Sequence, residues 1–318
     1  MPKLKRALRL SRPSDAFVPF VLAICALLWN PNISLGLFVG CFAVSALSLF
    51  SCFGVRAAFA MQPSMRSVRG TVKCALLLQL AGGLIAALLG TLFLKGERDA
   101  LPLVAAGLLL NIEHTFYEYL YAAGDWRSAM LSHGLTAAFL IAGMSLAKGP
   151  EGSHDLWKLV AMIGISAAVS AVIGCAMGDG LKGRLNAQIL RCAPRAALQV
   201  ALYPAIALLI LWAMNPTSCA FPFFAGWTLC ALCRTPFRRS SMEALPLNRS
   251  LLITFAATAA VWVVLTFIPG LTAGIDASSL PGSLLAQLPT ACVLVAAAAA
   301  CSFALYGNLK KNKDEYHE

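Results

Sequence analysis

Long apolar runs alternate with short polar segments along the whole chain. Runs of spanning length fall near residues 16–30, 33–55, 72–94, 100–123, 128–147, 156–178, 196–214, 219–234, 250–269 and 284–306. Each reads as a membrane helix, because ~20 apolar residues cross a typical hydrocarbon core. The first and eighth are short for that task. A backbone in lipid must satisfy its own hydrogen bonds, and a helix does so within one segment. The pattern therefore predicts an all-α integral membrane protein with about ten transmembrane helices. It divides into a six-helix N-terminal membrane lobe, residues 13–180, and a four-helix C-terminal part, residues 196–306. Residues 1–12, 181–195 and 307–318 read as a basic cytoplasmic N-terminus, a basic cytoplasmic linker and a cytoplasmic tail.

The basic residues test that count. With the N-terminus inside, 21 of the 25 Lys and Arg fall on inner segments, and Lys95, Arg98, Lys148 and Lys158 fall outside. Such a bias is the positive-inside signature of an N-in, C-in protein of the cell membrane. It puts Cys192 inside and Cys219 outside. It also requires the short first run to cross, since otherwise Lys3, Lys5, Arg6, Arg9 and Arg12 would face outward. No small-x-small cleavage site follows that run, which ends in Leu28-Trp29-Asn30-Pro31, so it reads as an uncleaved span.

Composition agrees. Of 318 residues, 59% are hydrophobic and only 12% charged, too few charges to cover a soluble protein of this size. The net charge of +11 is accounted for by the inner clusters, so the expected partner is the lipid bilayer and not nucleic acid. Most cysteines, including Cys25, Cys41, Cys52, Cys175, Cys230, Cys292 and Cys301, lie inside apolar runs and read as free buried thiols. Cys230 and Cys233 form a lone CxxC with no second pair, so no metal is expected. Gly178-Asp179-Gly180-Leu181-Lys182-Gly183 matches GxGxxG but follows a membrane helix instead of a strand, and reads as a helix stop and loop. No HExxH, GxSxG or phosphate-loop pattern occurs, so neither an enzyme nor a cofactor is expected.

Small residues recur four apart, at Gly82, Ala86 and Gly90 in the third run and at Ser166, Ser170 and Gly174 in the sixth. These predict close internal helix packing. Pro204 and Pro289 are expected kinks.

The fourth run is unlike the others. It ends Asn111-Ile112-Glu113-His114-Thr115-Phe116-Tyr117-Glu118-Tyr119-Leu120-Tyr121-Ala122-Ala123-Gly124-Asp125, placing ionisable groups where lipid should be. At 100° per residue, Asn111, His114, Glu118, Tyr121 and Asp125 fall within about an 80° arc, with Glu113 and Tyr117 on the far side. His114 and Glu118 are four apart and can touch. Glu118 is therefore expected to face the protein interior or an aqueous cleft. One reading is a water-accessible path for protons or a polar substrate, with His114 titrating near neutral pH and coupling to Glu118. The other is a pair satisfied by neighbouring helices. Among possible partners, His133 opens the fifth run, and Gln79, Gln199 and Gln287 are the polar residues of other spans.

Three stretches carry a family resemblance: Phe53-Gly54-Val55-Arg56-Ala57-Ala58, Glu118-Tyr119-Leu120-Tyr121-Ala122-Ala123-Gly124-Asp125 and Ile189-Leu190-Arg191-Cys192-Ala193-Pro194. Across residues 10–200 the chain resembles the N-terminal lobe of the multidrug/oligosaccharidyl-lipid/polysaccharide (MOP) exporter superfamily, its polysaccharide-flippase and spore-cortex members more than its drug exporters. The resemblance implies a flippase-like transporter for a lipid-linked or amphiphilic substrate, with a cavity between two lobes lined by the fourth span. The chain departs from that family in having four helices after the sixth where the family has a second lobe of six. A ten-helix small-metabolite transporter and a membrane-embedded assembly partner without transport are the alternatives.

Overall fold

The computed structural model describes residues 13–49, 65–93, 99–148 and 155–176, together with Ala220, Phe221, Phe223, Phe224 and Thr228. Every described element is helical. A short 3-10 turn, Pro13–Ala16, leads into α1, Phe17–Leu28. Then follow α2 (Pro31–Ser48), α3 (Met65–Phe93), α4 (Ala100–Ala122), α5 (Trp126–Ala147) and α6 (Leu156–Ala176). Five of these, α2 to α6, are long and apolar enough to cross a membrane. The described part is that of a multi-pass membrane protein.

The six expected N-terminal spans thus appear as six helices, but the first is short. Its apolar stretch, Ser14–Leu28, is below the length of the other five; at ~1.5 Å per residue it rises ~22 Å, against a core of ~30 Å. Hydropathy and hydrogen bonding also disagree at two boundaries. The second helix stops at Ser48, where Leu49 turns into the left-handed region at φ 56°, although the apolar run continues. The third begins at Met65, before its apolar run, because Arg66 and Arg69 end a hydrophobic stretch without breaking a helix. The seventh to tenth runs, apart from the five positions named above, lie outside the described residues. So do the linker, Phe53–Ala58, Gly178–Gly183, Ile189–Pro194, Pro204, Pro289, Gln199, Gln287 and the cysteines at 52, 192, 219, 230, 233, 292 and 301.

The chain forms two compact units, Met1–Pro31 with Leu202–Glu318, and Asn32–Ala201. In the first, α1 packs back on its own 3-10 turn. The second is organised around α4, which packs on α3, α5 and α6. Half of the α4 span is buried (50%), against 22% for α3. The outer side of α3 presents Leu77, Leu80, Leu84, Leu88 and Phe93, all exposed. In water such a face would drive association; in lipid it is ordinary surface, since acyl chains are as apolar as leucine.

Small residues set the closest approaches. A Cβ on Gly107 of α4 would collide with the Cys41 backbone nitrogen, and one on Gly40 of α2 would lie 2.5 Å from the Leu103 carbonyl oxygen. The two backbones therefore touch where only glycine fits. The predicted small faces behave unevenly. Ser166 and Ser170 are buried, and Gly174 makes room for Phe116. Gly82 lies against the Ser48 backbone and Ala86 is buried, but a Cβ on Gly90 would meet nothing within 4 Å among the described residues.

The hairpin joining α4 to α5 fixes the register of the site. Gly124 takes φ 88°. Its amide donates to the Tyr121 carbonyl and the Asp125 amide to the Leu120 carbonyl, each at 3.0 Å, which is the paired closure of a Schellman motif. Asp125 then caps α5, its carboxylate accepting from the Ser128 amide at 3.2 Å.

Candidate functional site

The polar residues of α4 do not form one stripe facing one space. They are shared among neighbouring helices. Asn111 turns to α2, where its Nδ2 donates to the Cys41 carbonyl at 3.1 Å and its Oδ1 accepts from the Ser45 hydroxyl at 3.3 Å. Thr115 turns to α3 and donates to Gln79 Oε1 at 3.1 Å. Asp125 is the α5 cap. Tyr121 lies edge-on to Tyr117, ring centroids 5.1 Å apart. Within the expected stripe, His114 and Glu118 meet each other directly, with Nε2 3.7 Å from Oε1.

Glu113 and Tyr117, expected on the far side of the helix from that stripe, meet a different neighbour. Both are buried against α5. The Nδ1 of His133 lies 3.1 Å from Glu113 Oε1 and 3.2 Å from Oε2. A carboxylate only accepts, so Nδ1 carries the hydrogen and shares it between the two oxygens. The His133 ring stacks on Tyr117 at 4.2 Å with the planes 24° apart. The helix surface explains this: Glu113, Tyr117 and Tyr121 follow an i, i+4, i+8 row, and that row is the one turned to α5. His114 joins the same seam from the next row, its ring edge-to-face with His133 at 6.0 Å and 5.5 Å from the Tyr117 ring.

Four ionisable groups therefore form one cluster. Glu113 and Glu118 are each 1% exposed and His133 is 3% exposed, whereas the His114 side chain is 23% exposed. Glu113 is nine residues, or ~14 Å, from the end of α4 at Ala122, deeper than Glu118 at ~6 Å. Thr136 and His114 also lie near enough to Glu113 to act on its carboxylate. Behind the cluster, α5 and α6 are tied by two hydroxyl pairs, Ser132 with Ser170 and Thr136 with Ser166, each at 2.7 Å. The expectation that Glu118 faces the protein interior agrees with its burial. The expected interlobe cavity involves residues outside those described.

Two sequence signals pointed to the deeper pair. Glu113 is the ionisable residue nearest the middle of the span, where an unpaired carboxylate costs most, and His133 is the imidazole on the next helix across a tight hairpin. Among the described residues no three His, Cys, Asp or Glu side chains converge as a metal site would. What this cluster can do chemically is bind, share and release protons, since imidazole changes charge in the physiological range.

No protein-family model matches the chain, and no curated protein matches it. Two solved structures resemble it. One is a MOP superfamily transporter from Pyrococcus furiosus, 16% identical, with a TM-score of 0.48 over 96% of this chain and 83% of that one. The other is a MATE protein in a bent conformation, 15% identical, with a TM-score of 0.49 over 96% of this chain and 82% of that one.

Proposed function

We propose that the chain is a membrane transporter of flippase-like type that moves a lipid-linked or amphiphilic substrate, with α4 lining the path. The observation that carries this reading is the burial of two carboxylates and an imidazole on and against the most buried of the described spans. Ionisable groups at that depth are costly and are kept where they pair, bind or conduct. The sequence resemblance of the Glu118–Asp125 stretch to polysaccharide flippases supports the substrate class. The candidate site comprises His114, Glu118 and Tyr121, with Glu113 and His133 now at its centre; Asn111 and Asp125 join it only as packing and capping groups.

The test is flipping of a fluorescent polyprenyl phosphate in proteoliposomes. The parent is expected to flip the probe. Glu118→Gln and His114→Asn, each with insertion verified, are expected to lose it. Variants that flip as fast as the parent would make the cluster structural. One observation favours a second reading. Glu118 is closed off on all sides, at 1% exposure, as helices packed shut around a fixed pair would leave it. On that reading the chain is an assembly partner in the membrane, and the parent flips no probe.

A further inference from the structure

We infer that the seam between α4 and α5 is a proton-binding site made of two coupled acid–imidazole pairs, a shallow one, His114–Glu118, and a deep one, His133–Glu113. Three geometric facts carry this. Each imidazole has its own carboxylate, at 3.7 Å for His114 and at 3.1 Å for His133. The two rings are 6.0 Å apart, and the Tyr117 ring lies beside them both. Exposure is graded: His114 is 23% exposed in its side chain and His133 4%. His114 is therefore the more accessible ring of the two, and His133 the enclosed one.

The balance of charge follows. A proton taken up at the His114 ring converts imidazole to imidazolium and makes an ion pair with the Glu118 carboxylate. A proton on His133 does the same with Glu113. With both rings protonated, two positive charges stand 6.0 Å apart in a medium that screens them poorly. Binding at one ring thus opposes binding at the other, and protons load one at a time. Losing its proton, His133 keeps its Nδ1 hydrogen bond to Glu113 but leaves that carboxylate without a neutralising charge, at the point where α4 and α5 are held together.

The other groups around the cluster set its background. The fourth helix itself adds Tyr117 and Tyr121, and α2 presents Cys41 and Ser45 to Asn111. Arg69, Lys73 and Cys74 of α3 flank the Val72 position that packs on Phe116 and Tyr119. The sixth helix contributes the hydroxyls of Ser166 and Ser170. Of the described residues, only His114 and His133 place two imidazoles against each other.

This proton site rests on α4 being the functional span, and its test is read without transport. The purified full chain is labelled with ring-15N histidine in lipid nanodiscs and its imidazole signals are followed from about pH 5 to about pH 8. The His114 and His133 signals are expected to titrate in two separate steps, each step visible at both rings. Replacing His114 by Asn, at a partly exposed position where folding should survive, is expected to move the His133 midpoint by about one pH unit or more, the mark of coupled sites. Glu118→Gln gives a second, milder perturbation of the same kind. An unmoved His133 midpoint in both variants overturns the inference, as does a His133 ring that does not change state over the range. Coupled midpoints in a protein that flips no lipid probe would uphold the proton site and remove the transporter reading. Probe flipping with uncoupled midpoints would do the reverse.

Discussion

The two sides of α4 are built from opposite materials. Toward α2 the contact is backbone on backbone: Gly40 and Gly107 leave no room for a Cβ, and Asn111 is satisfied at both ends of its amide by Cys41 and Ser45. Toward α5 the contact is made by long side chains, a carboxylate, two imidazoles and two tyrosines. The first seam has a single low-energy arrangement, since any shift separates surfaces that touch directly. The second is held by groups whose charge depends on protons, so its strength is a variable. A helix fixed on one side and adjustable on the other is suited to transmit a local charge change to its neighbour.

The most damaging single change should be to the adjustable seam. His133→Leu leaves Glu113 buried without its partner, and breaking a buried pair from one side costs about 3–5 kcal/mol. The expected readout is a large fall in the thermal midpoint of the purified protein in detergent. Replacing both members, Glu113→Leu with His133→Leu, should recover most of the loss, because apolar side chains of similar volume substitute well for a buried pair. A double variant as unstable as the single would mean that the seam depends on something other than the pair.

The fixed seam should respond next. In Gly107→Ala the new methyl runs into the Cys41 backbone nitrogen. The obstacle is backbone, so it cannot swing away, and overpacking of this kind costs about 1–3 kcal/mol. Gly174→Ala meets the Phe116 ring edge at 2.6 Å, a side chain that can turn, and should cost less. Ranking the two by thermal midpoint checks whether the α2 seam is the rigid one.

How much of this was legible follows from the physics of each signal. Apolar run length gave the helices, since lipid demands ~20 residues of one character; the third helix's start was hidden because a helix outlasts the membrane. The Gly124 turn and the Asp125 cap are local chemistry, and the wheel that put Asp125 in a stripe carries no sign of its capping bond to Ser128. The helical wheel grouped Asn111 with Glu118 because it knows only angles about one axis. It cannot say which neighbours stand at those angles. With helices on several sides of α4, the side that carries Glu113 is interior as well, packed against His133 of α5. At Gly90 the small-residue spacing finds no facing helix among the described residues.

A smaller effect is expected from the hydroxyl pairs between α5 and α6. Ser132→Ala removes one hydrogen bond of 2.7 Å. Hydrogen bonds between membrane helices average ~0.6 kcal/mol, because the separated helices also find partners. The thermal midpoint should fall by no more than about a degree or two in a protein of this size. A loss as large as that of His133→Leu would tie Ser132 to the charge cluster itself, and would extend the adjustable seam into α6.

The smallest effect is the sharpest check on the outer face of α3. Gly82 and Gly90 occupy the same row of the same helix, eight residues apart, and the sequence treats them alike. A Cβ on Gly82 would stand 2.5 Å from the Ser48 backbone nitrogen, whereas one on Gly90 would meet nothing within 4 Å among the described residues. Gly82→Ala should therefore destabilise by about 1–3 kcal/mol, as overpacking against backbone does. Gly90→Ala adds a methyl that faces open space, which in a bilayer is filled by acyl chains. It also removes the conformational penalty of glycine in a helix, worth up to ~1 kcal/mol. Its midpoint should be unchanged or slightly raised. Should Gly90→Ala cost as much as Gly82→Ala in nanodiscs while remaining neutral in detergent, a second surface must close on this face in the bilayer. The exposed leucines of α3 would then be a docking face and not a lipid boundary.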